Sequence, residues 1–384
     1  MLMLEVGLGH KIPALAVKED LEAKYPDQFD ISVVDFAKES GASRADIQLK
    51  RGWDVALTFP VLARIGYLYI EMNRKNFDYI ETLYKDFINK GMRYIAKVKP
   101  DVIMATHPLC LYIASKARRE FGGDYKIISY VVDPFDGYSL WANPESDLFL
   151  VATEQSKKRL LDSGACGSKI FITGFPIRAQ FFNLTKTKNQ IYEELGLDPA
   201  KPTILVSGGG MGISNVYAFA KIAKRRNLPV NMIVVAGKNQ RMKKSLDTLA
   251  QIKNNMNFVP LAYVNNMNEL IAASDVVAGK AGASTFMEAV FMNKPMIFTE
   301  WAAYNDWYII NFALENQLGW YCPNIVAFLN ILKKLTADPH LLKGAVSKIE
   351  ALHFLPGTAA VADVLAEQAG VAVLPTSAAR EPQA

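Results

Sequence analysis

Short apolar runs alternate with longer amphipathic stretches along almost the whole chain. Runs at 1–6, 31–35, 102–105, 126–132, 148–152 and 170–173 each lie between helical patterns, the signature of βαβ units and a parallel sheet. A polar stretch, "NLTKTKNQ", and a short helical pattern ending near Gly196 interrupt the rhythm. It restarts with "PTILVSGGGMG", "VNMIVVAG", "MNFVPLAYV", "DVVAGKAG" and "PMIFTEW". The pattern predicts an α/β protein of two doubly wound, Rossmann-like lobes facing a cleft. The first covers residues 1–175 and the second 176–356. A terminal helix and a tail that frays beyond Gly370 fill 357–384.

Composition narrows the class. With 384 residues, 51% hydrophobic and 21% charged, the chain has ample core for two domains. A formal charge of +5 is too small to argue for nucleic acid, and none is expected as a partner. Cys110, Cys166 and Cys322 are widely spaced and odd in number, which fits a reducing compartment. No apolar run approaches the roughly 20 residues of a membrane span, and no signal peptide pattern opens the chain. The expected location is cytoplasmic, peripheral on the inner face of a membrane.

Ligands of doubly wound lobes sit at the carboxyl ends of strands. Each lobe has a glycine-rich loop there: "GLGHKIPALA", with Gly7 and Gly9 ahead of His10, and "SGGGMGISN", with Gly208, Gly209 and Gly210. Neither is a Walker A loop, and neither completes a G-x-G-x-x-G fingerprint with its ribose acid. Glycine loops at strand ends are also common as plain turns. A third segment, "GKAGASTFMEAV" (279–290), sets small residues ahead of Glu288. Thr285 and Glu288 have the spacing of a capping box. Alternatively, Gly282, Ala283 and Ser284 let an anion reach free helix-start amides, with Glu288 gripping hydroxyls beside it. A nucleotide diphosphate in the cleft accounts for all three segments together.

Six motifs in order, "GLGHKIPA", "KPDVIMATHP", "VVDPF…LWANPESDLFLVATE", "KIFITGFPIRAQF", "VAGKN" and "KAGASTFMEA", resemble the two-lobed GT-B glycosyltransferases. Within them the chain is similar to the processive diacylglycerol glucosyltransferases and monogalactosyldiacylglycerol synthases. The peptidoglycan lipid-intermediate N-acetylglucosaminyltransferases are more distant relatives. The resemblance implies an inverting transferase that moves a hexose from a UDP-sugar donor to a lipid acceptor such as diacylglycerol. It gives Glu288 the ribose, Gly282, Ala283 and Ser284 the diphosphate, and Gly208, Gly209 and Gly210 the phosphates and sugar edge. Lys238 and Asn239 fall near the donor, and the backbone of Tyr263 and Val264 falls at the uracil. His10 becomes the general base or acceptor-orienting group. Asp133 is either its orienting partner or an acid that caps the next turn. His107 matches no catalytic position and is expected to pack at a strand end.

The chain also departs from that pattern. Where relatives carry Pro-Gly-Gln-Glu or an equivalent, it reads "AAYNDWYIIN", leaving Asn305 and Asp306 as the nearest sugar contacts. After Asp133, Gly137 and Tyr138 replace a histidine found in many relatives. Residues 60–99 hold eight basic residues against four acids, interleaved with aromatics. That segment reads either as core helices with solvated faces or as a contact with an anionic membrane surface. Trp53, Phe59, Arg64, Tyr67, Arg74 and Lys75 are its candidate acceptor or membrane residues. A UDP-sugar 2-epimerase of the same fold and a non-catalytic nucleotide-sugar-binding protein are the competing readings. No cofactor is expected. No Asp-x-Asp cluster marks a metal site, so activity should survive EDTA; loss that magnesium or manganese restores would refute this.

Overall fold

The computed structural model describes residues 1–6, 9–73, 78–210, 212 and 214–373. Gly7, Arg74, Lys75 and the tail from residue 374 onward lie outside the described residues. The first lobe is built on β1 (Leu2–Met3), β2 (Val34–Asp35), β3 (Val102–Ala105), β4 (Lys126–Tyr130), β5 (Leu148–Val151) and β6 (Ile170–Ile172). They form one parallel sheet in the order β2-β1-β3-β4-β5-β6. The second lobe carries β7 (Thr203–Ser207), β8 (Asn231–Val235), β9 (Asn257–Leu261), β10 (Val276–Lys280), β11 (Met296–Glu300) and β12 (Gly319–Tyr321). Its parallel order is β12-β11-β10-β7-β8-β9.

The apolar runs became strands because both faces of each sheet are covered by helices. On β7, Leu205 packs into one core while Ile204 and Val206 pack into another across the sheet. The strands are mostly shorter than the runs that announced them, since the last residues of a run leave the sheet to start a loop. β12 was not expected. It is three residues long and begins with Gly319, where a Cβ would meet the Met296 carbonyl oxygen at 2.0 Å.

Strand order reverses beside β1 in the first sheet and beside β7 in the second. Binding crevices open at such switch points. The loops after β1 and β3 meet at the first, and the loops after β7 and β10 meet at the second.

The chain crosses between lobes at two places that touch. Phe175 bridges Pro356, and the Gly357 amide donates to the Phe175 carbonyl at 2.8 Å. The helix Thr358–Gln368 then returns to the first lobe. Val361, Ala362, Leu365 and Ala366 join its core, and Tyr25 donates to Asp363 at 3.1 Å.

Gly174 has φ +81°, and a Cβ there would lie 2.3 Å from the Leu355 carbonyl oxygen. Gly174→Ala should therefore destabilise the protein by about 2 kcal/mol or more, read as a drop in melting temperature. Gly164→Ala, with φ +97° in open space, should cost only the backbone term of about 1 kcal/mol. Equal losses would show that the crossing tolerates a side chain.

Candidate active site

The loop after β1 delivers His10 to the start of the helix Lys11–Lys24. Its Nδ1 contacts the Thr106 carbonyl, and the Thr106 hydroxyl returns a bond to the His10 carbonyl at 2.9 Å. A carbonyl only accepts, so the neutral ring carries its proton on Nδ1 and keeps the Nε2 lone pair. Burial pushes His10 down to about 4. His107, from the loop after β3, caps the helix Pro108–Phe121 by accepting the Leu109 amide at 3.1 Å. The two histidine rings lie 4.7 Å apart. Burial first, then the neighbouring His10, holds His107 well below its usual range. Both rings are neutral at pH 7. His107, given only a packing role from sequence, is thus half of a histidine pair at the switch point.

Asp133 does not orient His10; the Thr106 carbonyl does. Asp133 is buried, accepting Trp141 Nε1 at 3.0 Å and Asn305 Nδ2 at 2.9 Å. Desolvation raises its carboxyl. The structure so joins two sequence candidates, Asp133 and Asn305, across the lobes. Asp306 belongs to its own helix instead: it accepts the Ala302 and Ala303 amides at 2.8 and 3.4 Å. Burial holds its carboxyl near 6. One of its oxygens is thereby committed to the turn rather than to a sugar.

In the second lobe the glycines are a matter of space. Gly208 donates to the Tyr217 hydroxyl at 3.0 Å, and a Cβ there would lie 2.6 Å from the same oxygen. Gly209 has φ +77°. The Gly210 carbonyl accepts the Lys238 amide at 3.0 Å, which pins the loop to the turn after β8. Asn239 is consumed structurally, with its side chain capping Met242 at 2.9 Å and donating to Gly212 at 3.0 Å. It holds the loop in place and is not open to a donor. The Lys238 ammonium stands 6.0 Å from the half-exposed Tyr263 ring, and Val264 packs at the edge of the core.

The helix Ala283–Phe291 is capped by Gly282 with no side-chain bond. Thr285 is its third residue and Glu288 its sixth, so the capping-box reading fails. No hydrogen bond or ion pair holds Glu288 among the described residues, and burial raises its carboxyl to about 8 against the opposing pull of Arg178. The Ser284 hydroxyl is buried without a partner. Open space surrounds the missing side chain of Gly282.

Lys280, at the end of β10, had no role in the sequence reading although it stands inside the quoted motif. Its ammonium lies 5.9 Å from the Trp53 ring of the other lobe, and a Cβ on Gly209 would lie 3.8 Å from it. Burial lowers its pKa, with Asp306 and then Glu300 opposing. No hydrogen bond or ion pair holds it among the described residues. An unpaired ammonium beside a glycine loop and an uncapped helix start suits an anionic ligand.

The expected membrane residues divide. Arg64 stacks on Trp301 at 3.4 Å and donates to its carbonyl at 3.1 Å. Tyr67 is buried, donating to Asp136 at 2.7 Å, while Arg159 holds the other Asp136 oxygen at 3.0 Å. Arg64 therefore joins the lobes, Tyr67 is buried within the first, and Trp53 faces the second lobe. Phe59 is exposed. The sequence reading missed the aliphatic stripe on the helix Pro60–Met72: Val61, Leu62, Ile65, Leu68 and Met72 point to solvent, with Met72 84% exposed. Their spacing of three and four was the available signal.

Glu288 yields a pH prediction. Its raised carboxyl means that the folded state binds more protons than the unfolded chain between pH 4.5 and about 8. That contribution is present below pH 4.5 and lost as pH rises through about 8. Glu288→Gln should therefore gain in melting temperature relative to wild type on going from pH 5 to pH 8. A constant difference would show that Glu288 is ionised throughout.

Comparison with known proteins places these features. Residues 10–177 match the family described as monogalactosyldiacylglycerol (MGDG) synthase, and residues 203–306 match the glycosyltransferase family 28 C-terminal domain. The chloroplastic monogalactosyldiacylglycerol synthase of Spinacia oleracea is 24% identical over 338 residues, covering 84% of this chain and 62% of that protein. A processive diacylglycerol beta-glucosyltransferase of Staphylococcus epidermidis is 32% identical over 212 residues, covering 55% of this chain and 53% of that protein. The chain thus spans about half to two thirds of the length of these relatives. Acinetobacter baumannii MurG superposes with a TM-score of 0.61 at 17% identity, covering 96% of this chain and 98% of that one. The two lobes have the GT-B fold, the first matched by the MGDG synthase family and the second by the glycosyltransferase family 28 C-terminal domain.

Proposed function

We propose that the protein is an inverting transferase that moves a hexose from a UDP-sugar to the free hydroxyl of diacylglycerol. One observation carries this reading: a neutral histidine with a free Nε2 at the first switch point, in a lobe matched to the MGDG synthase family. In the reaction the acceptor oxygen bonds the anomeric carbon as that carbon's bond to the diphosphate breaks. The acceptor proton goes to His10 Nε2, and UDP leaves. Lys280 and the amides at Gly282–Ser284 stabilise the charge that develops on the leaving diphosphate. Glu288 accepts from the ribose hydroxyls. Either galactose or glucose fits, since one relative is named for each. The fold, shared with UDP-sugar 2-epimerases, does not separate the two reactions. The match of the first lobe and its lipid-facing surface favour the transferase.

That surface is the exposed side of the helix pair Ser43–Thr58 and Pro60–Met72. No single helix among the described residues is long and apolar enough to cross a membrane, and these two bend by 115° at their junction. An apolar stripe turned outward while its polar side grips the protein suits shallow burial in a bilayer. The basic excess of residues 60–99 suits anionic headgroups.

Purified protein with diacylglycerol vesicles and radiolabelled UDP-glucose or UDP-galactose should give lipid-soluble label. UDP release without labelled lipid would favour the epimerase, and nucleotide binding without turnover a non-catalytic protein. His10→Ala should leave UDP affinity near normal and cut kcat by roughly 10²–10⁴-fold. The acidic limb of kcat/KM should lie near pH 4, the value burial gives His10; a limb near 6.5 would remove His10 as the base. Glu288→Ala should weaken UDP by about tenfold or more in calorimetry.

For the membrane, Leu62→Ser with Ile65→Ser should reduce co-sedimentation with anionic vesicles while soluble UDP binding is kept. Undiminished sedimentation, or loss of a protein dimer instead, would overturn the bilayer assignment.

A further inference from the structure

A cavity of about 810 Å³ lies inside the first lobe, lined by residues of that lobe alone. That is within the range of about 300–1,000 Å³ typical of small-molecule sites. Its inner wall includes His107, whose ring packs against His10. Leu49, Tyr84, Leu109 and Leu140 make its middle apolar. Ile70, from the inward side of the helix Pro60–Met72, and the exposed Leu83 also line it. The helix Asp78–Val98 breaks at Tyr84 (φ −115°, ψ 20°), and Ile80, Glu81, Leu83 and Tyr84 around that break all line the space.

A second observation points to a ligand. Ser115 and Ser139 are 2% and 5% exposed, and both line the cavity. Their hydroxyls are buried with no hydrogen-bond partner. Buried hydroxyls are rarely left unpaired, because each forfeits its bond to water. Two of them on an otherwise apolar wall suit a ligand that is mostly hydrocarbon with a few carbonyl acceptors. Its polar lining includes the Arg119–Glu145 ion pair and Glu81, held by Tyr112 and Lys116.

We propose that this cavity is the acyl-chain site of the lipid acceptor. One chain of a diacylglycerol enters beside the exposed Leu83, its ester carbonyls accept from Ser115 and Ser139, and its free hydroxyl is held at the histidine pair. The inference rests on the proposed transfer to diacylglycerol and adds that the first lobe measures the acyl chain. Each buried methylene adds roughly fourfold to affinity, so a cavity of this size makes the acceptor KM depend on chain length.

Ser115→Phe fills the space from the wall, and Leu140→Trp does so from a partly exposed turn should the first variant fold poorly. Two readouts apply. The fluorescent fatty acid cis-parinaric acid, without membranes or donor, should bind the wild type and lose roughly tenfold or more in affinity in a folded filling variant. That loss corresponds to fewer than three buried methylenes. In mixed micelles, the kcat/KM ratio of dioleoylglycerol to dioctanoylglycerol should fall toward one in the same variants. The double change Leu62→Ser and Ile65→Ser, outside the cavity, should leave parinaric acid binding as it is. Parinaric acid that binds wild type and both filling variants alike, or an unchanged chain-length ratio, overturns the acyl-chain site. Parinaric acid binding that the filling variants abolish, with no sugar transfer to any diacylglycerol by wild type, keeps the cavity as a hydrocarbon site and overturns the transferase reading instead.

Discussion

Two stretches of backbone, at Gly174–Phe175 and Leu355–Gly357, press against each other with no room for a side chain between them. A Cβ on Gly174 would lie 2.3 Å from the Leu355 carbonyl oxygen, and one on Gly357 equally close to the Gly174 backbone. Both passages of the chain between lobes run through this point, so it sets where one sheet stands relative to the other. Everything at the cleft inherits that placement. The Asp133–Asn305 bond, the stacking of Arg64 on Trp301 and the approach of Lys280 to Trp53 all join residues of different lobes.

The same placement produces the electrostatics of the site. Each switch point gathers polar groups where helices and the opposite lobe exclude water. Desolvation then acts on both signs of charge: it depresses His10, His107 and Lys280 and lifts Asp133, Asp306 and Glu288. Groups that found partners, such as Asp306 on its helix turn and Asn239 on the glycine loop, serve the scaffold. Those left without partners, Lys280, Glu288 and the Ser284 hydroxyl, are the groups proposed to meet the donor.

The proposed acceptor side follows an opposite logic. On the helix Pro60–Met72 the polar residues turn inward to the lobe junction and the apolar ones outward, which reverses the order of an ordinary surface helix. Arg64 and Tyr67 can face inward because Trp301 and Asp136 receive them. Ile70, on the inward side of the same helix, lines the cavity whose wall includes His107.

The sequence by itself determined the two-lobed α/β architecture. Period-two and period-3.6 patterns depend on neighbours along the chain, and the long buried strands at 203–207 and 231–235 declare themselves by being apolar on both faces. It also placed His10 and the glycines in loops that follow strands and Glu288 in the helix after such a loop, where such folds bind ligands. Only the tertiary structure decided what those residues do. It set Thr106 rather than Asp133 behind His10, spent Asp306 and Asn239 on turns, drew Lys280 into the cleft and turned Arg64 and Tyr67 away from solvent. It also created β12, whose three residues carry no period of their own and pair only because Met296–Phe298 offers an open edge. Apart from the local bonds of Asp306 to Ala302 and Asn239 to Met242, such assignments rest on contacts between residues tens to hundreds of positions apart. Local patterning carries no record of them, because the competing partners of a side chain exist only once both lobes have closed.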